Sequence, residues 1–142
     1  MKPKGFQELQ EAFKDQGMRL TYQRKVILDI LRGTKSHPSA EMVYASAKRR
    51  IPNVSLGTVY RNLNVLKGCG MIQELDFGSS VSRYDANTSH HYHVRCIRCD
   101  KVEDVDLSTV AGLDRQVEDC MGYRAVTHRV EFQGVCPECW KG

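Results

Sequence analysis

From Ser89 to Asp104 the chain reads SHHYHVRCIRCDKVED, and the fold turns on how this stretch joins Val135-Cys136-Pro137-Glu138-Cys139 near the C-terminal end. Two Cys-x-x-Cys pairs, Cys96/Cys99 and Cys136/Cys139, supply four thiolates, the full coordination set of a tetrahedral structural zinc. Four sulfurs leave no open position for a substrate, so one such Zn2+ per subunit is expected to hold structure, clipping the chain end onto an earlier turn. One Cys-x-x-Cys alone suits a thioredoxin-type redox pair, but two pairs favour metal. Disulfides are disfavoured because Met1-Lys2-Pro3-Lys4 leads into a polar amphipathic stretch with no apolar signal core, and no run approaches membrane-spanning length. The expectation is a cytoplasmic protein with no membrane contact. Cys120 falls in an apolar helical stripe and is expected in the core, and Cys69, between Gly68 and Gly70, is expected to be an inert helix-end thiol.

Four thiolates leave that metal no use for the histidines. His91 and His93 are two apart, which in extended chain puts both on one face, with His90 and Tyr92 on the other. They are either half of a second metal site or a pair of exposed loop histidines. Asp85 and Asp104 are near enough in sequence to complete a nitrogen and oxygen shell of the kind that suits Fe(II) or Mn(II).

Charge divides the 142 residues in two. Residues 1–84 carry 14 Lys/Arg against 7 Asp/Glu, a balance of +7, and residues 85–142 carry 7 against 10, a balance of −3, for the net +4. A basic half followed by an acidic, ligand-rich half suggests a polyanion-binding module joined to a metal-binding one. Each half is small for a self-sufficient core, so a metal staple and oligomerisation are expected.

In the basic half, Phe6, Leu9 and Phe13 recur at helical spacing and Gly17 ends that helix. Thr21 is the N-cap expected for a second helix, with Val26, Ile27, Ile30 and Leu31 in one stripe and Gly33 as its stop. Arg24, Lys25 and Arg32 lie outside the stripe. The loop Thr34 to Ser39 contains His37, which its position alone assigns to solvent. A third helix is expected from Ala40 to Arg50, with Val43, Tyr44 and Ala47 inward, before Pro52-Asn53 breaks the chain. Ser55 then caps a helix whose Leu56, Val59, Leu63 and Leu66 form the clearest apolar stripe in the chain. Its other face carries Thr58, Tyr60, Arg61, Asn64 and Lys67, suited to phosphates and base edges in a major groove, or to an ordinary solvated surface. Candidate strands Met71 to Phe77 and Val81 to Asp85 flank Gly78-Ser79-Ser80, a hairpin-turn composition. Helices followed by a hairpin describe a winged helix, with Arg83 a candidate phosphate contact.

The acidic half reads as strands Val94 to Ile97 and Val102 to Leu107, a helix from Ser108 to Met121 with Val110, Leu113, Val117 and Cys120 in register, and a strand in which Val126, His128, Val130 and Phe132 alternate with polar residues. His128, on the apolar side, is expected to be packed and satisfied. The expected fold class is α+β: a winged-helix DNA-binding domain (1–84) and a small α/β dimerisation and zinc-binding domain (94–142), joined by a segment (85–93) that carries candidate metal ligands.

Taken jointly, Ser55-x-x-Thr58-Val59-Tyr60-Arg61-x-Leu63, His90-His91-Tyr92-His93-x-x-Cys96-x-x-Cys99 and Cys136-x-x-Cys139 resemble the ferric uptake regulator superfamily over nearly the whole chain, and within it the peroxide-responsive repressors most. The resemblance implies a regulatory Fe2+ or Mn2+ held by three histidines and two aspartates, here His37, Asp85, His91, His93 and Asp104; it is this that promotes His37. Iron-uptake relatives usually carry glutamate where Asp85 and Asp104 stand, and the shorter side chains would leave the metal an open position for peroxide. Some members hold a further metal with His, Asp, Glu and His; His90 and His128 match two of these, but Tyr92 replaces the aspartate, so that site is not expected. The position of Arg61 varies between subfamilies and bears on the operator read.

What the resemblance implies is a repressor. Metal bridging the two halves sets a homodimer to grip a palindromic double-stranded DNA operator, and peroxide, oxidising His37 or His91, releases it. The alternative is a regulator that senses metal occupancy only. A metal-dependent hydrolase lacks any nucleophile or general-base constellation, and a four-thiolate iron electron carrier leaves the winged helix unexplained. No enzyme activity is expected.

Overall fold

The computed structural model describes residues 6–15, 17–76, 81–89, 91–107 and 112–141, leaving aside the Phe6 side chain. The chain divides into two compact units, Met1–Ser89 and His90–Gly142.

The first unit is a helical layer with a short hairpin: α1 (Phe6–Asp15), α2 (Tyr22–Arg32), α3 (Ala40–Ala47), α4 (Leu56–Gly68), β1 (Gln73–Leu75) and β2 (Arg83–Asp85). The three later helices start where the sequence offers a hydroxyl. The side-chain oxygens of Thr21, Ser39 and Ser55 accept from the backbone N–H groups of Arg24, Met42 and Thr58, satisfying donors that a helix start leaves open. Gly17, at φ +69, takes the left-handed conformation that ends α1. The core is one cluster of Leu9, Phe13, Ile27, Leu28, Leu31, Val43, Val59, Leu63 and Leu66 with smaller neighbours, all buried. Ile30 is only half-buried at its edge, because Leu28 takes the inward place on α2.

β1 and β2 pair antiparallel, with Gln73 opposite Asp85 and Leu75 opposite Arg83. Both are shorter than their apolar runs suggest. α3 likewise stops at Ala47, three residues before the expected Arg50, as the chain turns toward Pro52. Phe77 and the Gly78-Ser79-Ser80 turn lie outside the described residues.

The second unit is a three-stranded sheet in the order β4-β3-β5, from β3 (Tyr92–Cys96), β4 (Val102–Val105) and β5 (Glu131–Gly134), with α5 (Leu113–Met121) in the crossover. β3 runs antiparallel to β4 and parallel to β5. β3 begins earlier than expected and stops at Cys96, leaving Ile97 56% exposed in the following turn. Val126 to Val130 keep the expected alternation of half-buried and exposed side chains but are not a paired strand. Ser108 and Val110 lie outside the described residues.

Two expectations fail here. α5 buries none of its residues: Leu113, Val117 and Met121 line one exposed stripe, and Cys120 is exposed rather than in the core. The stripe belongs to a helix face that this chain's own sheet does not cover. Among the described residues, the apolar burial of the unit reduces to Tyr92, Cys96, Val102 and Cys136, two of them thiol side chains, too little to hold a domain of this size unaided.

Leu63 is fully buried and Ser55 caps α4. Leu63→Ala is expected to cost about 2–5 kcal/mol through the cavity it leaves, and Ser55→Ala about 1 kcal/mol. Thermal unfolding of the full chain should rank the two in that order.

Candidate metal centres and recognition surface

The Cys96 to Cys99 turn follows β3 and the Cys136 to Cys139 turn follows β5, and because those strands pair, the two turns end side by side. Ile97 N–H donates to the Gly134 carbonyl (2.8 Å) and Arg98 Nη1 to the Cys139 carbonyl (2.8 Å). The four sulfurs lie within 4.8 Å of one another, and Cys99 Sγ is 3.8 Å from Cys136 Sγ. A tetrahedron with zinc–sulfur arms of about 2.3 Å needs sulfurs about 3.8 Å apart, so the set fits a structural zinc, as its chemistry led one to expect.

The thiols are not equivalent. Cys96 Sγ accepts from the backbone N–H of Cys136 (3.3 Å) and of Cys99 (3.5 Å), which draws its pKa down to about 5. Cys139, beside the Cys136 sulfur, is pushed up to about 12. Cys96 is thus a preformed thiolate at neutral pH, whereas Cys139 must lose a proton when metal binds.

Of the second expected donor set, His37 and Asp85 belong to the first unit and His91, His93 and Asp104 to the second. In the first, the 34–39 loop runs beside β2: Tyr84 N–H donates to the Pro38 carbonyl (3.0 Å), and Arg83 Nη1 lies 3.4 Å from the His37 carbonyl. These contacts hold His37 at φ +53, a left-handed conformation costly for a residue with a β-carbon, and bury it to 2% exposure. The position-based assignment of His37 to solvent is therefore wrong, since the backbone bonding of β2 draws the loop inward. Its Nε2 lies 3.6 Å from Asp85 Oδ2, and Asp85 Oδ1 accepts from Asn87 N–H at 2.8 Å.

In the second unit, His93 stands opposite Asp104 across the β3/β4 pair. Asp104 Oδ1 lies 3.1 Å from His91 Nε2 and 3.3 Å from His93 Nε2, with the two rings 4.3 Å apart. An octahedral ion with arms of about 2.1 Å needs adjacent donors about 3 Å apart, so these three fit a hard or borderline divalent ion on one face. His93 is buried and His91 half-buried, so they are not a pair of exposed loop histidines.

His128 is satisfied, as expected. Its Nε2 pairs with Tyr92 Oη (2.8 Å) and its Nδ1 with Asp114 Oδ1 (2.7 Å). Tyr92 thus occupies the nitrogen that a further metal would need. His90 lies outside the described residues.

On α4, Tyr60, Arg61, Asn64 and Lys67 are exposed opposite the buried stripe, and Thr58 is half-buried with its hydroxyl 2.9 Å from that of Ser55. Two of these side chains are held by carboxylates. Tyr60 Oη donates to Glu41 Oε1 (3.0 Å), which raises the phenol's pKa, and Lys67 Nζ donates to Glu74 Oε2 (3.2 Å). These partners were not legible in the sequence, nor was buried Asn62, whose Oδ1 accepts from Arg24 Nε (3.1 Å). Tyr60 and Glu41 are 19 residues apart and Arg24 and Asn62 38, while Lys67 and Glu74, only seven apart, lie on different elements, so no periodicity marks any of the pairs. Among the described residues, no helix is long and apolar enough to cross a membrane.

Residues 15–133 match the model of the ferric uptake regulator family. The chain is similar to the peroxide-responsive repressor PerR of Staphylococcus aureus, 37% identical over 135 residues that span 93% of this chain and 91% of that protein. Its structure resembles that of the ferric uptake regulator Fur of Helicobacter pylori, described as having three functional metal-binding sites, with a TM-score of 0.78 and 27% identity over 96% of this chain and 91% of that one. It also resembles PerR of Streptococcus pyogenes, with a TM-score of 0.52 and 32% identity over 93% of this chain and 90% of that one.

Zinc should shield four of the six thiols. In the zinc-loaded protein a disulfide-exchange reagent is expected to modify exposed Cys120 fast and half-buried Cys69 slowly, and chelation should release the other four. Cys96→Ser or Cys136→Ser should lose the zinc; a variant retaining one zinc per chain would refute the four-sulfur assignment.

Proposed function

The chain belongs to the ferric uptake regulator family, and on that premise we propose that it is a metal-dependent repressor that binds a palindromic operator as a homodimer and senses peroxide by oxidation of a ligand histidine. His37, Asp85, His91, His93 and Asp104 serve one regulatory Fe2+ or Mn2+, and residues 85–93 act as the hinge between a DNA-binding domain and a dimerisation domain. The observation that carries the reading is the donor chemistry: imidazoles and aspartates with no sulfur, His37 strained against Asp85, and Asp104 shared by His91 and His93. Aspartates at both carboxylate positions and the 37% identity to a peroxide-responsive repressor support it together.

A metal that draws donors from both units favours one arrangement of the paired DNA-binding domains, so occupancy and operator affinity are linked. Fe(II), if held by these residues, would supply the redox chemistry that activates the peroxide O–O bond beside them. His37 and His91 are the imidazoles exposed to that chemistry; the net change is transfer of one oxygen atom to the ring, with water as the other product. An oxidised imidazole is a poorer donor, so the arrangement that fits the operator is lost. On the DNA, Arg61 and Asn64 reach base edges, Thr58 and Tyr60 flank them, and Lys67 and Arg83 contact phosphates.

The test uses a duplex selected from a random library by the Mn(II)-loaded protein. Brief peroxide is expected to weaken binding by the Fe(II) form at least about tenfold, a loss of about 1.4 kcal/mol, with one oxygen added to the peptide containing His37 or His91, and to spare the Mn(II) form. Release on chelation with no response to peroxide would instead establish an occupancy sensor of the iron-regulator type, which the likeness to the Helicobacter pylori protein favours. On the same duplex, Arg61→Ala should cost about 1–3 kcal/mol and relax sequence preference. Lys67→Ala should weaken all sequences alike and lower the salt slope by about one.

A further inference from the structure

Arg95 and Asp100 belong to neither donor set, yet each is held in a costly state. Arg95 lies two residues beyond His93 on β3, so strand alternation puts both side chains on one face, roughly 7 Å apart along the strand. His93 stands opposite Asp104 and Arg95 opposite Val102. The guanidinium therefore sits one step along the face that presents His93 and Asp104. Its side chain is only 12% exposed, and its Nε is buried with no hydrogen-bond partner among the described residues. A buried cation needs a counter-charge, and Asp100 Oδ1 provides it at 2.8 Å from Nη1.

Asp100 is itself strained. It closes the turn that starts at the first zinc ligand, its N–H donating to the Cys96 carbonyl (2.9 Å), and its φ is +65. Aspartate tolerates that left-handed conformation better than most residues, but at a cost that surrounding contacts must offset. The turn that wraps the zinc thus delivers a carboxylate to the arginine that lies along β3 from His93. Without it, the next carboxylates along that face are those of Asp104 and Glu131, both opposite His93.

We infer that Asp100 holds the Arg95 guanidinium away from Asp104, leaving His91, His93 and Asp104 available to a divalent metal, and that it does so only while the Cys96 to Cys99 turn is folded. Arg95 and Asp100 are positioning residues, and zinc at the four cysteines supports the regulatory site through them. This rests on the reading of His91, His93 and Asp104 as metal donors, and deepens it.

The experiment measures Mn(II) binding to the full-length, zinc-loaded protein from the paramagnetic resonance signal of free Mn(II), with zinc content read alongside. Asp100→Asn retains a residue that tolerates the left-handed backbone but removes the charge; Mn(II) affinity should fall roughly 10–100-fold with zinc unchanged. Arg95→Met removes the competing cation, and its affinity should equal or exceed that of the unaltered protein. The double variant R95M/D100N should recover from the loss seen in Asp100→Asn, which a merely structural pair would not do. Unaltered Mn(II) affinity in zinc-loaded Asp100→Asn, or an Arg95→Met variant as weak as Asp100→Asn, overturns the inference. Should Asp100→Asn lose zinc, Asp100→Gly, which adopts the same φ without strain, takes its place, and zinc loss in both also overturns it. His93→Ala separates the underlying reading: if it binds Mn(II) normally, the donor assignment itself has failed, whereas unaltered binding in Asp100→Asn alone condemns only the role of the pair.

Discussion

Closure of four sulfurs by one metal is the constraint on which the second unit depends. Among its described residues that unit buries few apolar side chains, and two of them are the cysteines Cys96 and Cys136. A domain this small gains too little from burial to offset the entropy of ordering its chain. The metal supplies the missing stabilisation by tying the turn after β3 to the turn after β5. It also fixes the parallel register of those strands, with Cys96 opposite Gly134. That register in turn anchors β3, whose other end presents His93 to Asp104 on β4. The structural metal and the histidine cluster are therefore two ends of one strand.

The residues that carry chemistry sit where the backbone is least regular. Among the described residues, three non-glycine positions have positive φ: His37, Asp100 and Ala125. Two of the three belong to metal turns or their borders. His37 is held by the β2 backbone and Arg83, and Asp100 by the zinc turn and Arg95. Such strain persists only where neighbouring contacts over-determine it. Here those contacts come from strands β2 and β3 and from the zinc turn, not from the helices.

Carboxylates play a comparable part on the surface of the first unit. The exposed face of α4 is rich in groups able to meet DNA, but Tyr60 is engaged by Glu41 and Lys67 by Glu74. Glu74 also accepts from Tyr84 Oη (3.0 Å), which with burial raises the pKa of that phenol. These contacts orient side chains that would otherwise be free to rotate, and reduce the entropy to be lost when a partner is met. A basic net charge on residues 1–84 thus coexists with local neutralisation on the exposed face of α4.

The sequence by itself determined the elements and the chemistry of the first metal. Helix starts at Thr21 and Ser55, the stripe Val59, Leu63 and Leu66, and two Cys-x-x-Cys pairs are local patterns, and local patterns specify local structure. The pairing of His91 with His93 was equally legible, because a spacing of two needs only an extended chain. His37 was legible only through family resemblance. Its burial depends on bonds from β2, the Tyr84 N–H to the Pro38 carbonyl and the Arg83 side chain to the His37 carbonyl 46 residues away, which no spacing rule encodes. Cys120 was misplaced for the converse reason: periodicity shows that a helix has an apolar face but not whether the same chain covers it. The ion pair of Arg95 with Asp100 and the hydrogen bond of Tyr60 with Glu41 were decided by tertiary structure alone. A charged or polar residue read in sequence carries no mark of its partner, and only the packed chain brings the two together.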